Sequence, residues 1–250
     1  MKVMISGGKG NLAQNIIEQS SGHDIVAPSR QEMNVSNLWE IEDEIKHHNP
    51  DVFIHAAAYT RPMHKHQDNP DKSIEANIIG TSNVVLACMK YNVKLVYIST
   101  DYVYPGTSGD YNEDDALSPF VGKSDYSEKD GVLPFTKYGW SKLGGECAVR
   151  MYDNSLILRT CICDHPFPHG QALTDVKKSL MYNFEAARII LKLLNEKGVI
   201  NLGGDSQSVY DFASKKNPRI KKITRQDVKD VCIAPDTSMN TSKLKEILND

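Results

Sequence analysis

Tyr138 and Lys142 lie four positions apart in Tyr138-Gly-Trp-Ser-Lys142, a spacing that sets both side chains on one face of a helix. A phenol beside an ammonium can protonate a developing alkoxide. The Tyr hydroxyl has an ordinary pKa of about 10, and a neighbouring cation favours its ionised form and brings that value towards working pH. A chain of this composition supplies about one such pair by chance, so the weight lies in what accompanies it. Upstream, Ile98-Ser99-Thr100-Asp101-Tyr102-Val103-Tyr104 places hydroxyls at the end of an apolar run. Hydride arriving at a carbonyl carbon leaves charge on the oxygen. That oxygen needs a proton, which Tyr138 can give, and a hydrogen-bond donor, which Thr100 can be.

Hydride needs a carrier, and the start of the chain fits one. Gly7-Gly8-Lys9-Gly10-Asn11-Leu12-Ala13 reads as G-x-G-x-x-A from Gly8 and G-x-x-G-x-x-A from Gly7. Glycines let the chain turn tightly and bring its backbone against a pyrophosphate, which then sits on the free N–H groups of the following helix. The second expected strand ends in Ala27-Pro28-Ser29-Arg30. No acid stands there to take the ribose hydroxyls of NAD, whereas Ser29 and Arg30 suit a 2′-phosphate. The expected cofactor is NADPH, with NADH as the alternative. His55-Ala56-Ala57-Ala58-Tyr59-Thr60 offers small residues against which a flat cofactor can lie.

The elements that must position these residues are short β-branched runs alternating with helical patterns. Strands are expected at 3–6, 25–27, 52–55, 95–99, 156–159 and 199–202. Helices are expected at 12–19 (apolar face Leu12, Ile16, Ile17), 38–48 (N-cap Ser36 or Asn37), 73–91, 138–152 and 183–194. This alternation predicts an α/β fold, a Rossmann-type doubly wound parallel sheet, with ligands beyond the carboxyl ends of the strands. The chemistry-bearing residues fall just after strands, where that rule puts them.

Composition narrows the class. The 250 residues are 40% hydrophobic with a net charge of −3, which lacks the basic footprint of a nucleic-acid binder. No apolar run approaches the ~20 residues that cross a bilayer. Met1–Ser6 runs straight into the glycine cluster, leaving no room for a signal peptide, and a cytoplasmic protein is expected. Five cysteines at 88, 147, 161, 163 and 232 form no pair of C-x-x-C knuckles, so no metal site is expected. Cys161-x-Cys163 reads as two reduced thiols or a redox pair. His64 and His66 read as solvated or substrate-facing, or as metal ligands short of a third. Leu86, Cys88 and Met89 read as core or dimer face.

The chain resembles the extended short-chain dehydrogenase/reductases, and within them the dTDP-4-dehydrorhamnose reductases and related nucleotide-sugar 4-ketoreductases. The stretches that carry the likeness are Gly7–Ala13, His55–Thr60, Asn77–Asn83, Ile98–Gly106, Tyr138–Glu146 (YGWSKLGGE), Asn201–Gly204 with Ser208–Phe212, and Ala234–Leu244 (APDTSMNTSKL). The resemblance implies NADPH-dependent reduction of the C4 keto group of a nucleotide-linked 4-keto-6-deoxyhexose, in deoxysugar biosynthesis. Thr100, Tyr138 and Lys142 would then be catalytic. Gly7, Gly10, Asn11 and Leu12 would bind the pyrophosphate, and Ser29 and Arg30 the 2′-phosphate. Ala56, Ala57, Ala58, Tyr59, Asn77 and Ser99 would line the cofactor, with Tyr138 and Lys142 reaching its nicotinamide end. Asp101 and Tyr102, with Thr100, would meet the hexose. A homodimer is the expected assembly.

Two departures stand out. Thr100 and Tyr138 are 38 positions apart because a Y-x-E-x-D-x-x-x-P loop occurs twice, at Tyr111–Pro119 and Tyr126–Pro134. The first copy reads as the addition, a lid or an oligomer contact. After the fifth strand, Arg159-Thr160-Cys161-Ile162-Cys163-Asp164 lacks the aromatic residue of the relatives' R-T-S-W-V-Y, a role that passes to Phe167 or is lost. His64 is a further substrate contact by expectation. Residues 1–160 with about 183–202 are expected to form the nucleotide-binding domain, and about 161–182 with 203–250 a small substrate-binding lobe. Two other readings share these residues: an epimerase or dehydratase of the same superfamily, and a non-catalytic NADP-binding regulatory subunit.

Overall fold

Strands covered on both faces must be apolar on both sides, and the runs at 52–55 and 155–160 are buried along their whole length. The structure, a computed structural model, describes residues 1–60, 65–119, 133–134, 136–228 and 231–249. Its six-stranded sheet comprises β1 (Lys2–Ser6), β2 (Asp24–Val26), β3 (Val52–His55), β4 (Lys94–Thr100), β5 (Ser155–Thr160) and β6 (Gly198–Leu202). The order is β6-β5-β4-β3-β1-β2, and every pairing is parallel. The chain leaves β1 towards β2 on one side and returns to β3 on the other, which opens a crevice at the carboxyl ends of β1 and β3.

Alternate strand residues feed two cores. Val3, Ile5, Ile54, Val96 and Leu158 pack with Ala13 and Ile16 of helix α1 (Asn11–Gln19). Met4, Phe53, Leu95, Tyr97 and Ile157 pack on the other face, with Ile41 and Ile45 of α2 (Leu38–His48) and Val84, Ala87 and Cys88 of α3 (Gly80–Tyr91). On this second face also lies Val149, at the end of α4 (Thr136–Val149). On the first lies α5 (Asn183–Lys192), through Ala186, Ala187 and Ile190. Asn37 rather than Ser36 caps α2, its side chain accepting the Trp39 amide at 3.1 Å. Cys88 is fully buried, while Leu86 and Met89 are exposed. Among the described residues no helix is long and apolar enough to cross a membrane.

The single long helix expected at 73–91 is composite. A turn at Pro70–Ser73 leads into a π-helical segment, Ile74–Ile79, before α3 begins. Asn77, fully buried in that segment, accepts the Tyr59 amide at 2.7 Å and donates to the Tyr59 carbonyl and to Ser141 Oγ, both at 2.9 Å. The widened turn thereby grips the loop after β3, the kind of use to which π segments are put.

Beyond β5 the chain makes short ladders that no periodicity announces. Ile162–Cys163 pairs with Met181–Tyr182, Lys177–Lys178 with Gln207–Ser208, and Gln171–Leu173 with Lys221–Ile223. Cys161 and Cys163 are buried here as reduced thiols in a cluster with Tyr104, Tyr111, Leu180, Tyr182, Phe212 and Met239. The first Y-x-E loop is part of this body, not an addition to it. Tyr111 stacks on Tyr104 at 4.8 Å and bridges Met239. The Glu113 carbonyl accepts from Arg159 at 2.8 Å, and its carboxylate accepts the Asn201 amide at 2.9 Å. The loop therefore joins β5, β6 and the C-terminal segment, which an appended lid would not. Most of the second copy, like His64, lies outside the described residues.

Candidate functional site

The loop after β1 is shaped by its glycines. Gly7 has φ +74°, and a Cβ on Gly8 would sit 2.0 Å from the Ala27 carbonyl oxygen. The turn closes through Gly10 N–H to Gly7 O at 2.8 Å. It delivers the N-terminus of α1 with no side-chain cap and no acid in its first turn. Uncapped amides at the positive end of a helix are an anion site, and a cleft of about 910 Å³ opens in front of them. Gly7, Gly10, Asn11, Leu12, Arg30, Ala56, Ala57, Ala58 and Tyr59 line it. The residues present fit a dinucleotide: a bare backbone cradle for its phosphates, an exposed guanidinium at one end and a wall of alanines between.

The same cleft continues over the ends of β4 and β5, where Ser99, Thr100, Asp101, Tyr102, Tyr138 and Lys142 line it. Lys142 is 3% exposed, and its ammonium lies 4.3 Å from the centre of the Tyr97 ring. Burial pulls its pKa from 10.5 down to about 7, with Glu146 opposing the fall. His55 beneath it is held between Ser6 Oγ at 2.8 Å and Thr81 Oγ1 at 3.0 Å. Burial and then Lys142 push the imidazole down to about 3, so it is neutral. Tyr138 is half-buried between the Tyr102 ring, 5.9 Å away, and the His66 ring at 5.0 Å.

Several expected contacts take other roles. Ser29 is buried and does not line the cleft; its amide donates to Glu32 Oε2 at 2.7 Å, and of the two expected residues Arg30 faces the opening. Asn77 is also set back from the cleft, spent on Tyr59 and Ser141. Phe167 packs with Ala172, Ala213 and Ile220 instead of facing the cleft. His66 is not solvated: it is fully buried, with Nδ1 2.8 Å from Ser73 Oγ and Nε2 3.2 Å from the Thr60 carbonyl. Asp101 reaches the cleft wall, but its carboxylate is taken up by Lys178 and Thr237, each at 2.6 Å.

Two charged side chains at the site have partners that the sequence pattern does not reveal. Lys178 lines the cleft from the far side, yet in the sequence Lys177-Lys178 looks like a solvated pair. Glu146, the last residue of YGWSKLGGE, is fully buried against Arg159, with Oε1 2.7 Å from Nη2. It also accepts from Ser99 Oγ at 2.9 Å, so it anchors α4 to the ends of β4 and β5. Burial alone would raise the Glu146 carboxyl; the hydrogen bonds and charge of Arg159 outweigh it and hold the carboxyl below its ordinary value.

The chain is similar to several known proteins. The chain is 29% identical over 162 residues to the spore coat polysaccharide biosynthesis protein SpsK of Bacillus subtilis, covering 64% of this chain and 52% of that one. It is 29% identical over 152 residues to the dTDP-4-dehydrorhamnose reductase of Mycolicibacterium smegmatis, covering 59% and 41%. The alignments thus span about half the length of these curated relatives. Among solved structures, the dTDP-4-dehydrorhamnose reductase of Bacillus anthracis, in complex with NADP, superposes with a TM-score of 0.83 at 22% identity, covering 99% of this chain and 92% of that one. That match shows the same Rossmann-type architecture. Residues 1–163, which supply the glycine loop, Thr100, Tyr138 and Lys142, match the family model described as the RmlD substrate binding domain, and the chain belongs to that family.

Proposed function

We propose that this chain reduces the C4 keto group of a nucleotide-linked 4-keto-6-deoxyhexose with NADPH, a step of deoxysugar biosynthesis. One observation carries the reading: Thr100, Tyr138 and Lys142 line the same cleft as the uncapped N-terminus of α1 and the Ala56–Ala58 wall. The reductase name of the Mycolicibacterium relative and the NADP in the Bacillus anthracis structure support it.

Asn11 and Leu12 receive the pyrophosphate on backbone amides, Gly7 and Gly10 let it approach the backbone of the turn, and Arg30 pairs with the 2′-phosphate. When bound, NADPH supplies hydride to the keto carbon. Tyr138 gives its proton to the keto oxygen as charge builds there. The Lys142 ammonium stabilises the phenolate left behind, and Thr100 donates a hydrogen bond to the same oxygen. The pieces at 161–182 and 203–250 form the sugar side of the cleft, against the nucleotide side at 1–160 and 183–202. Two copies pair through α3 and α4, with the exposed Leu86 and Met89 in the seam.

The test is direct. The protein is mixed with NADPH and dTDP- or UDP-4-keto-6-deoxyglucose, with and without a 3,5-epimerase, and reduced-nicotinamide absorbance is followed. Steady loss is expected. NADPH binding without oxidation across a panel of keto-sugars would replace the reductase with a non-catalytic binding subunit. Tyr138→Phe should abolish turnover and leave cofactor affinity intact.

A further inference from the structure

Lys178 stands in a two-residue strand on the far wall of the cleft, its side chain 11% exposed. Its ammonium is 2.6 Å from Asp101 Oδ2, 2.8 Å from Thr237 Oγ1 and 4.2 Å from the centre of the Tyr102 ring. Thr237 passes the contact on, donating its hydroxyl to the same Asp101 Oδ2 at 2.6 Å. The other carboxylate oxygen, Oδ1, accepts the Thr100 hydroxyl at 3.1 Å. Thr100 Oγ1 in turn accepts the Tyr102 amide at 3.3 Å.

A hydroxyl has one proton. If Thr100 is to donate to a keto oxygen, that proton must leave Asp101. A carboxylate with no cation beside it would hold the proton firmly. It would also place a full negative charge next to an oxygen that becomes negative in the transition state. Here two strong donors crowd onto Oδ2, one of them charged, and draw the negative charge to that end. Oδ1 is left a poor acceptor, and its 3.1 Å separation from Thr100 exceeds the usual ~2.7–2.8 Å of an O–H···O bond. We infer that Lys178 is a positioning residue, which neutralises Asp101 and so frees the Thr100 proton for the substrate oxygen. The catalytic consequence rests on the ketoreductase reading; the geometric one does not. The same ammonium, lying on the Tyr102 ring, holds the next wall residue as well.

The experiment compares Lys178→Met, Lys178→Arg and the double variant Asp101→Asn/Lys178→Met with the wild type, by steady-state kinetics on NADPH and the keto-sugar, NADPH fluorescence titration and crystallography. Lys178→Met should lose about 10- to 100-fold in kcat, the scale of a misplaced donor, with NADPH affinity and its KM unchanged. Lys178→Arg should recover most of the loss. The double variant, which has no unpaired carboxylate, should turn over faster than Lys178→Met and stays informative if the single variant does not fold. In the Lys178→Met crystal structure the Thr100–Asp101 hydrogen bond should shorten to about 2.7 Å. An unchanged kcat in Lys178→Met, or a double variant no faster than the single one, overturns the inference. A wild type inactive on every keto-sugar refutes the reductase reading instead. The crystal structures then decide the positioning alone, an unaltered Thr100–Asp101 distance in Lys178→Met overturning it.

Discussion

Replacing Glu146 by glutamine preserves the size of the side chain and its reach to Ser99, but leaves the Arg159 guanidinium buried without a counter-charge. Both side chains are 0% exposed. The guanidinium donates to Glu146 Oε1 at 2.7 Å, to Glu146 Oε2 at 3.4 Å, to the Tyr104 hydroxyl at 2.6 Å and to the Glu113 carbonyl at 2.8 Å. The two neutral acceptors remain in the variant; the charge partner does not. Breaking a buried pair from one side costs about 3–5 kcal/mol. For a chain of this size each kcal/mol lowers Tm by about 2–4 °C, so the melting point should fall by roughly 6–20 °C. Urea unfolding should show a lower midpoint with an unchanged m-value. Arg150 also touches Glu146, at 3.1 Å, but is 45% exposed; Arg150→Ala should cost under about 1 kcal/mol. The double variant Glu146→Gln/Arg159→Met removes the stranded charge and should recover a good part of the loss. A Glu146→Gln protein within about 1 kcal/mol of wild type would refute the reasoning.

Four other outcomes follow from the site. Lys142 has a pKa near 7 when folded against 10.5 in a free chain, so between those values the unfolded state binds the proton that the native state gives up. Stability should therefore rise with pH across that window, by up to about 1.4 kcal/mol per unit, and urea titrations of Lys142→Met should lack the rise; parallel curves would sink the assignment. Reduction by the wild type should slow as pH climbs through the same value of about 7, because the ammonium that stabilises the Tyr138 phenolate is lost. Arg30→Ala should weaken NADPH about tenfold, the worth of a charge-assisted hydrogen bond, and NADH hardly at all, while Glu32→Gln should favour NADPH by removing a carboxylate beside that site; fluorescence titration with both cofactors separates the two. Gly8→Ala should destabilise the fold by about 3 kcal/mol or more, measured by urea unfolding, since its Cβ would meet the Ala27 carbonyl oxygen at 2.0 Å and backbone cannot yield.

The residues legible in the sequence are those whose role depends on local order. Thr100 ends a strand, and Gly7, Gly10 and Ala56–Ala58 lie in the loops that leave one, and a parallel sheet gathers strand ends at one edge whatever the loops do. Tyr138 and Lys142 share a helix turn, so their juxtaposition needed only a helix. The remaining contacts are non-local. Lys178 meets Asp101 across 77 positions, and Glu113 meets Asn201 across 88; neither separation leaves a periodic trace. The two- and three-residue ladders after β5 are too short for alternation to show. Ser29 and Phe167 misled because residue type matches the role expected of them, while their side chains serve a buried turn and an apolar cluster.

The Glu113 contact has a consequence for the sheet as a whole. β6 is the last strand, and a terminal strand offers a row of unmet amides and carbonyls to any other chain. On its outer side the Asn201 amide is taken by Glu113 Oε1 at 2.9 Å, and the Val199 carbonyl by Lys243 Nζ at 2.7 Å. The Asn201 side chain donates to the Tyr111 and Asn240 carbonyls at 2.8 and 3.1 Å, laying further chain across the same margin. Side chains from a loop and from the helix Ser242–Leu248 thus occupy sites where a foreign strand would have to bond. Pairing of a foreign strand along β6 is obstructed there by residues that take no part in the proposed chemistry.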